Sequence, residues 1–245
     1  GPVPSLYYCH LHTSDCSSTE RARRVNLAAI FKQGSHVNCI YPAVLNCRES
    51  IVSLVYKQLI PRLQQYEKPS RAFGEVTRRA AVAIVLHECD DELCLLMIRR
   101  AKREGDPWSG HMAFPGGRRD PEDIDDRFCA IRETREEIAL DLDALGHEVC
   151  ALGDVNTGWR ADRPEMLVAP FIYRVEQLPA LDLNYEVDGV ISVPLSFLMD
   201  RSNRVPLKWE WRGTQVESDS YLYQDSRIWG LSLMMIDELI EAVER

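Results

Sequence analysis

The stretch of sequence that decides the fold begins at Phe114-Pro-Gly-Gly117, continues through Arg-Arg-Asp-Pro-Glu-Asp123, and ends in Arg132-Glu-Thr-Arg-Glu-Glu137. Two adjacent glycines allow a tight turn and let the backbone approach a ligand closely. Asp120 and Pro121 are typical of a helix start, as a capping residue and a first-turn residue. The stretch therefore predicts a glycine turn that leads into a charged helix.

The predicted helix, from about residue 124 to about residue 139, has two chemically different faces. Because each residue advances the helix by about 100°, four apolar side chains are expected to pack inward: Ile124, Phe128, Ile131 and Ile138. Three carboxylates, spaced by three and four residues, share the opposite face: Glu133, Glu136 and Glu137. Such close like charges repel one another, and a divalent cation would remove that cost, since Mg²⁺ prefers carboxylate oxygens. A solvated acidic face is the alternative, and the three acids alone favour it.

The order of the glycines, Asp123 and the Arg-Glu-x-x-Glu-Glu helix resembles the signature of the Nudix hydrolase family. Four features depart from that signature: Asp123 stands in place of Glu, one residue is inserted before Arg132, Thr134 replaces an apolar residue, and Ala139 replaces Gly. The glutamates at the family's metal-ligand positions are present. The longer spacing, together with the segment from Glu186 to Asp200, is similar to the coenzyme A pyrophosphohydrolase branch of the family.

The resemblance implies a fold and an activity. The implied fold class is α/β, an α/β/α sandwich around a mixed sheet with an N-terminal extension. The implied activity is metal-dependent cleavage of a diphosphate linkage in a nucleoside diphosphate joined to a second group X, with coenzyme A or its esters as a candidate substrate. Two further functions stay open: a pyrophosphohydrolase acting on RNA 5′ ends, and a protein that binds a pyrophosphate group without cleaving it.

The resemblance also assigns roles to residues of the helix. Glu133 and Glu137 are the implied principal metal ligands and Glu136 the third, with Mg²⁺ or Mn²⁺ as the cofactor. Arg132 is expected to pair with Asp123 and so to orient the helix that carries the ligands.

Five further residues outside the helix are site candidates. Glu186 is a candidate general base or extra metal ligand, with a solvated loop acid as the alternative. Arg99 and Arg100 are candidate phosphate-binding residues, since guanidinium groups match phosphate geometry, although a run of charges is more often a solvated face. Trp108 is a candidate stacking platform for a nucleobase, and Gly117 is a candidate for close backbone contact with the substrate.

The rest of the chain divides into an extension and a catalytic domain. Residues 1–74 are expected to be irregular to about residue 48 and helical from about 50 to 66, where Pro61 should kink or split the helix. Residues 75–245 are expected to form the catalytic domain. Strands are predicted at 79–86, 93–98, 149–152, 166–175, 190–193 and 205–211, the first two as a hairpin, with a final helix at about 231–243.

The overall composition argues against some partners. A net charge of -9 disfavours a broad surface for nucleic acid or for an acidic membrane, and no apolar run reaches the roughly 18 residues of a membrane span. The apolar surroundings of Cys129 and Cys150 favour buried thiols in a reducing, intracellular compartment. We expect a small-molecule diphosphate as the partner, and the sequence leaves open whether the chain forms a homo-oligomer.

Overall fold

The computed structural model describes residues 51–73, 76, 78–104, 109–158, 165–211 and 214–244. The predicted irregular extension and Trp108 lie outside the described residues. The helices are α1 (Ile51–Gln64), α2 (Asp126–Ile138), α3 (Leu142–Leu145), α4 (Leu195–Met199) and α5 (Gly230–Glu244). The strands are β1 (Arg78–Cys89), β2 (Glu92–Arg100), β3 (Met112–Ala113), β4 (Gly116–Arg118), β5 (Gly146–Ala151), β6 (Val155–Asn156), β7 (Met166–Val175), β8 (Val187–Pro194), β9 (Arg204–Trp211), β10 (Thr214–Tyr223) and β11 (Ser226–Ile228). In the described part of the chain, no helix is both long enough and apolar enough to cross a membrane.

One mixed sheet of eight strands organises the described residues. β1 pairs in parallel with β7 and antiparallel with β2, while β8 extends the sheet beyond β2 and β5 extends it beyond β7. Towards the start of β1 and the end of β2, β4 pairs with β1 and β3 pairs with β2. The glycine turn is therefore embedded in the middle of the sheet, between its two central strands.

Helices cover both faces of this sheet, which explains the nearly continuous apolar run of β1. On one face Ile84 and Leu95 pack in a core that includes side chains of α1, α4 and α5. On the other face Val85 and Leu96 pack against α2. The predicted α/β/α sandwich around a mixed sheet is confirmed.

The first helix runs through its proline. α1 is continuous across Pro61, so the alternative that the helix splits is wrong, while a kink stays a prediction. Leu59 and Leu63, on either side of Pro61, are buried in the core, and this packing stabilises both halves of the helix. The predicted division of the chain near residue 74 stays a prediction.

The β1–β2 hairpin carries a disulfide between Cys89 and Cys94. The sequence pattern predicted the hairpin but not this disulfide, because the cysteines were expected to be reduced thiols. Cys129 and Cys150 are free thiols, as expected, and burial raises the pKa of each to about 12.

Candidate active site

The carboxylate helix α2 agrees to within two residues with the predicted helix from about residue 124 to about residue 139, but its N-cap differs from the expected one. Its N-cap is Asp125, whose carboxylate accepts a 2.7 Å hydrogen bond from the backbone N–H of Phe128. The predicted cap at Asp120 is wrong, because the backbone N–H of Asp120 donates to the carboxylate of Asp123. Residues 120–123 thus form a turn organised around Asp123.

The buried face of α2 also differs from the prediction. Ile131 and Ile138 are buried as expected, whereas Phe128 is 39% exposed and Ile124 is 78% exposed. The buried stripe follows residues 129, 130, 131, 134, 137 and 138 at helical spacing, and Phe128 lies outside it. The stripe includes Glu137, which the sequence analysis placed on the opposite, polar face.

Glu137 lies in the last turn of α2 with only 2% of its surface exposed. Its Oε2 accepts a 2.9 Å hydrogen bond from the backbone N–H of Gly116. Burial raises the pKa of the Glu137 carboxyl group to about 7, the Gly116 bond and the charge of Arg100 lower it, and the charges of Glu133 and Glu186 raise it further. A cation would stabilise such a desolvated carboxylate among other acids.

Glu133, one turn earlier on α2, faces the glycine turn. A Cβ at position 117 would lie 2.6 Å from Glu133 Oε2, so only glycine lets the carboxylate and the backbone approach this closely. Burial raises the pKa of Glu133, Arg132 opposes the shift, and the charges of Glu136 and Glu186 add to it. Glu133 and Glu137 therefore meet at the glycine turn, one against each glycine.

Arg132 joins the turn to the helix through several charge-assisted hydrogen bonds. Its Nε and Nη2 donate to the two carboxylate oxygens of Asp123 at 2.8 and 2.9 Å, which is the pairing that the sequence predicts. Its Nη1 donates to Glu133 Oε1 at 3.0 Å and to Glu136 Oε2 at 3.1 Å. The side chain of Glu136 is 56% exposed, against 17% for Glu133, so Glu136 is the more open of the two.

The Arg132–Asp123 pair makes stability depend on acid pH. The hydrogen bond from Arg132 is the main cause that lowers the pKa of Asp123 to about 2, against about 3.9 in an unfolded chain. Because the pKa of Asp123 is lower in the folded than in the unfolded protein, its ionised carboxylate stabilises the fold at pH values above about 4. This stabilisation is lost as the pH falls through about 4 towards 2. We expect Asp123→Asn to lower the free energy of unfolding by about 2 kcal/mol at pH 7, with the difference from wild type shrinking below pH 4.

Urea unfolding of both proteins between pH 7 and pH 2 measures this difference. Asp120→Asn is the control, since Asp120 is 61% exposed and lies 3.9 Å from Arg132, and it should cost less than about 1 kcal/mol. A constant difference for Asp123→Asn across the whole pH range would contradict the assignment.

The loop before β8 brings a third carboxylate to the site. The backbone N–H of Asn184 donates to the carbonyl of Glu137 at 2.9 Å, and the backbone N–H of Ala101 donates to the carbonyl of Glu186 at 2.7 Å. The Glu186 side chain pairs with Arg103 at 3.3 Å, and its charge raises the pKa of Glu137. We call Glu133, Glu137 and Glu186 the carboxylate cluster.

The two predicted phosphate-binding arginines point to opposite faces of the sheet. Side chains alternate along a strand, so Arg100 shares the face of α2, and its charge lowers the pKa of Glu137. Arg99 lies on the other face, where its Nη2 donates to Ser226 Oγ at 2.8 Å and pairs with Asp225 at 3.1 Å. The structure thus brings Arg100, and not Arg99, to the side of the carboxylate cluster.

Arg99 instead lines a cavity of about 380 Å³ between the main sheet and the second, three-stranded sheet of β9, β10 and β11. His111 and Trp229 form part of its wall, with their rings 5.0 Å apart in an edge-on contact. The two rings therefore pack against each other in the wall of this cavity.

The donor set at the glycine turn fits a hard divalent cation. Mg²⁺ is commonly held by one or two carboxylates, with waters and substrate phosphates completing its coordination. Glu133 and Glu137 supply two carboxylates against a turn that a Cβ would fill. Within the described ranges no group of three or more His, Cys, Asp or Glu side chains is arranged to hold an ion, so the structure joins neither Glu136 nor Glu186 to the other two as a ready third ligand.

Comparison with known families agrees with this geometry. The model of the NUDIX domain matches residues 77–210, which include the glycine turn, α2 and Glu186. The chain belongs to the Nudix hydrolase family. As a Nudix hydrolase it is an enzyme that acts on pyrophosphate bonds.

Two curated proteins are similar to this chain in sequence. The chain is 30% identical over 177 residues to the uncharacterized Nudix hydrolase NudL of Yersinia pestis (strain Pestoides F), a match covering 71% of this chain and 84% of that protein. It is 39% identical over 109 residues to uncharacterized protein C14C4.10c of Schizosaccharomyces pombe, covering 43% of this chain and 33% of that protein. The match therefore spans about a third of the length of the fission yeast relative.

Solved structures of Nudix proteins resemble this chain at low identity. A C. elegans Ap4A hydrolase binary complex is 22% identical, with a TM-score of 0.41, and covers 49% of this chain and 81% of its own. A MutT/nudix family protein from Enterococcus faecalis is 18% identical, with a TM-score of 0.44, and covers 77% of this chain and 70% of its own. Likeness of this degree carries no argument about the substrate, and membership of the coenzyme A branch stays a prediction.

Proposed function

We propose that this Nudix hydrolase is a divalent-metal-dependent pyrophosphohydrolase that cleaves nucleoside diphosphates joined to a second group X. The observation that carries the proposal is the convergence of Glu133 and Glu137 on the glycine turn, with Glu186 beside them. Burying this much negative charge is unfavourable without a cation. A diphosphate is the substrate class that a carboxylate-bound divalent cation and a nearby guanidinium suit best.

Each residue of the site has an assigned task in this proposal. Glu133 and Glu137 hold the cation, Mg²⁺ or Mn²⁺, which supplies charge neutralisation on the phosphoryl oxygens and activation of water. Arg132 keeps Glu133 oriented through the Asp123 pair. Arg100, on the same face as α2, binds the phosphate oxygens of the substrate.

Glu186 is the proposed general base. Its Oε1 faces Arg103, so we assign the proton of the attacking water to Oε2. The water oxygen forms a bond to one phosphorus while the bond from that phosphorus to the bridging oxygen breaks. The electron pair of the broken bond stays on the bridging oxygen, which leaves with the second phosphate. The products are two phosphate monoesters, one carrying the nucleoside and one carrying X.

A panel of substrates tests the proposal most directly. With saturating Mg²⁺, we expect turnover of at least one of coenzyme A, ADP-ribose and diadenosine polyphosphates, and loss of that turnover when EDTA removes the cation. The panel also contains an RNA with a 5′ triphosphate, because the sequence leaves RNA ends open as substrates. Binding of these compounds without any turnover would support a pyrophosphate-binding protein instead.

Replacement of Glu186 tests its role in the chemistry. Glu186→Gln keeps the shape of the side chain and removes the proton acceptor, so kcat should fall about 10²-fold. Asp188→Asn is the matched control, because Asp188 is an exposed acid two residues further along β8, and its kcat should stay near that of wild type. Equal kcat values for the two variants would exclude Glu186 as the base.

A further inference from the structure

An exposed aromatic ring lies at the edge of the carboxylate cluster. Tyr185 is 79% exposed, although backbone hydrogen bonds hold both of its neighbours. Asn184 donates from its backbone N–H to the carbonyl of Glu137 at 2.9 Å, and Glu186 accepts from the backbone N–H of Ala101 at 2.7 Å. The loop therefore presents the Tyr185 ring from a fixed position, one residue away from Glu186.

One face of this ring is covered by a guanidinium group. The Cζ atom of Arg103 lies 4.8 Å from the centre of the Tyr185 ring, within the range of a cation–π contact. The same side chain pairs with Glu186 at 3.3 Å, so Arg103 orients the ring and the carboxylate together. Since Tyr185 is 79% exposed with one face covered, its other face is open to solvent.

We propose that Tyr185, backed by Arg103, forms the subsite on which the nucleobase of the substrate stacks while the diphosphate reaches the carboxylate cluster. This inference rests on the proposed function and adds the part of the substrate that the cluster itself does not touch. A planar heteroaromatic ring suits the open face, because base–aromatic stacking contributes roughly five- to hundredfold in affinity. The carboxylates and Arg100 bind only what every diphosphate shares, so selectivity for a nucleoside needs a separate contact of this kind.

Two ligands that differ only in the base provide the test. Titration calorimetry of the full chain with Mg²⁺ measures the dissociation constants of AMP and of ribose 5-phosphate for wild type, Tyr185→Ala and Tyr185→Phe. Leu183→Ala is the control for disturbance of the loop, since Leu183 is 37% exposed and lies two residues away. The KM and kcat for ADP-ribose are measured on the same four proteins.

We expect wild type to bind AMP more tightly than ribose 5-phosphate. Tyr185→Ala should weaken AMP binding about tenfold and leave ribose 5-phosphate binding within twofold, and it should raise the KM for ADP-ribose with kcat nearly unchanged. Tyr185→Phe and Leu183→Ala should both behave like wild type, because the first keeps the ring and the second keeps Tyr185.

Three results would overturn the subsite: equal affinity of wild type for the two ligands, equal losses for both ligands in Tyr185→Ala, or unchanged AMP binding in that variant. Failure of the proposed function gives a different result, namely no turnover of any diphosphate by wild type. In that case the comparison of AMP with ribose 5-phosphate still decides whether Tyr185 binds a base.

Discussion

Glu137→Gln should reduce kcat about 10³-fold while the protein stays folded. Glutamine keeps the shape of the side chain and can accept the hydrogen bond from Gly116 that Glu137 Oε2 accepts now. It cannot supply the charge that binds a cation, and loss of several kcal/mol of metal stabilisation corresponds to a rate change of about this size. Because Glu137 is buried, its replacement by a neutral group should leave the melting temperature equal to that of wild type or higher.

Glu136→Gln provides the comparison within the same helix. Glu136 is 56% exposed and pairs with Arg132. We therefore expect the kcat of Glu136→Gln to fall only about tenfold, much less than that of Glu137→Gln. The measurements are kcat at saturating Mg²⁺ and thermal unfolding followed by circular dichroism. A kcat for Glu137→Gln within threefold of wild type would remove Glu137 from the metal site.

Gly117→Ala, which adds a single methyl group, should reduce kcat about as much as Glu137→Gln does. The new Cβ would lie 2.6 Å from Glu133 Oε2, so the carboxylate must move away from the turn. Gly117 is not among the glycines with a positive φ, and the obstructing atoms belong to the end of a flexible side chain. The fold should therefore survive, while kcat falls about 10³-fold, as for removal of a metal ligand.

Replacement of the neighbouring Gly116 serves as the control, because it should destabilise the fold rather than displace a metal ligand. Gly116 has a φ of 151°, and a Cβ there would lie 2.6 Å from Val82 Cα in the central strand β1. Backbone atoms of a buried strand cannot move aside, so Gly116→Ala should lower the free energy of unfolding by about 3 kcal/mol or more.

Thermal unfolding with and without Mg²⁺ tests the displacement of Glu133 in Gly117→Ala. Mg²⁺ should raise the melting temperature of wild type and not that of Gly117→Ala; an equal rise in both would contradict the proposed displacement of Glu133.

Sequence alone was sufficient where the pattern is local. The run Met166–Val175 was predicted at the bounds of β7, because a strand buried on both faces is continuously apolar. The meeting of Glu133 and Glu137 was predicted because a spacing of four residues is a property of the helix itself, whereas the structure does not join Glu136 to them. The Asp123–Arg132 pair followed from the family signature, and the structure shows it at 2.8 Å.

Sequence failed where an element exists only through its partners. β3 and β4 are two and three residues long, too short to show any period, and they are strands only because β1 and β2 pair with them. β10 has polar residues at Gln215, Glu217 and Asp219 and serine at positions 218 and 220, so it shows no apolar face of its own. Its pairing with β9 and β11 makes it a strand.

The outcome at Phe128 has a similar cause. Helical spacing placed its apolar side chain in the core, whereas the buried stripe of α2 at residues 130, 131, 134 and 138 leaves it 39% exposed. Tyr185 and Asn184 were also missed as site residues. The signal that pointed towards them was their adjacency to Glu186, but their contacts with Arg103 and with Glu137 join residues that are far apart in the sequence.

The hydrogen bond from Asn184 to Glu137 makes one amide proton a reporter for the whole site. The carbonyls of a helix's last turn have no hydrogen-bond partner within the helix. Here the loop that carries Glu186 supplies a donor to one of these carbonyls, that of Glu137. That amide can exchange its proton with solvent only while the loop is lifted from the helix end. Its exchange rate in heavy water therefore reports the frequency of the loop opening in which Glu186 and Tyr185 leave their positions together. A bound substrate should lower this exchange rate without contacting the amide.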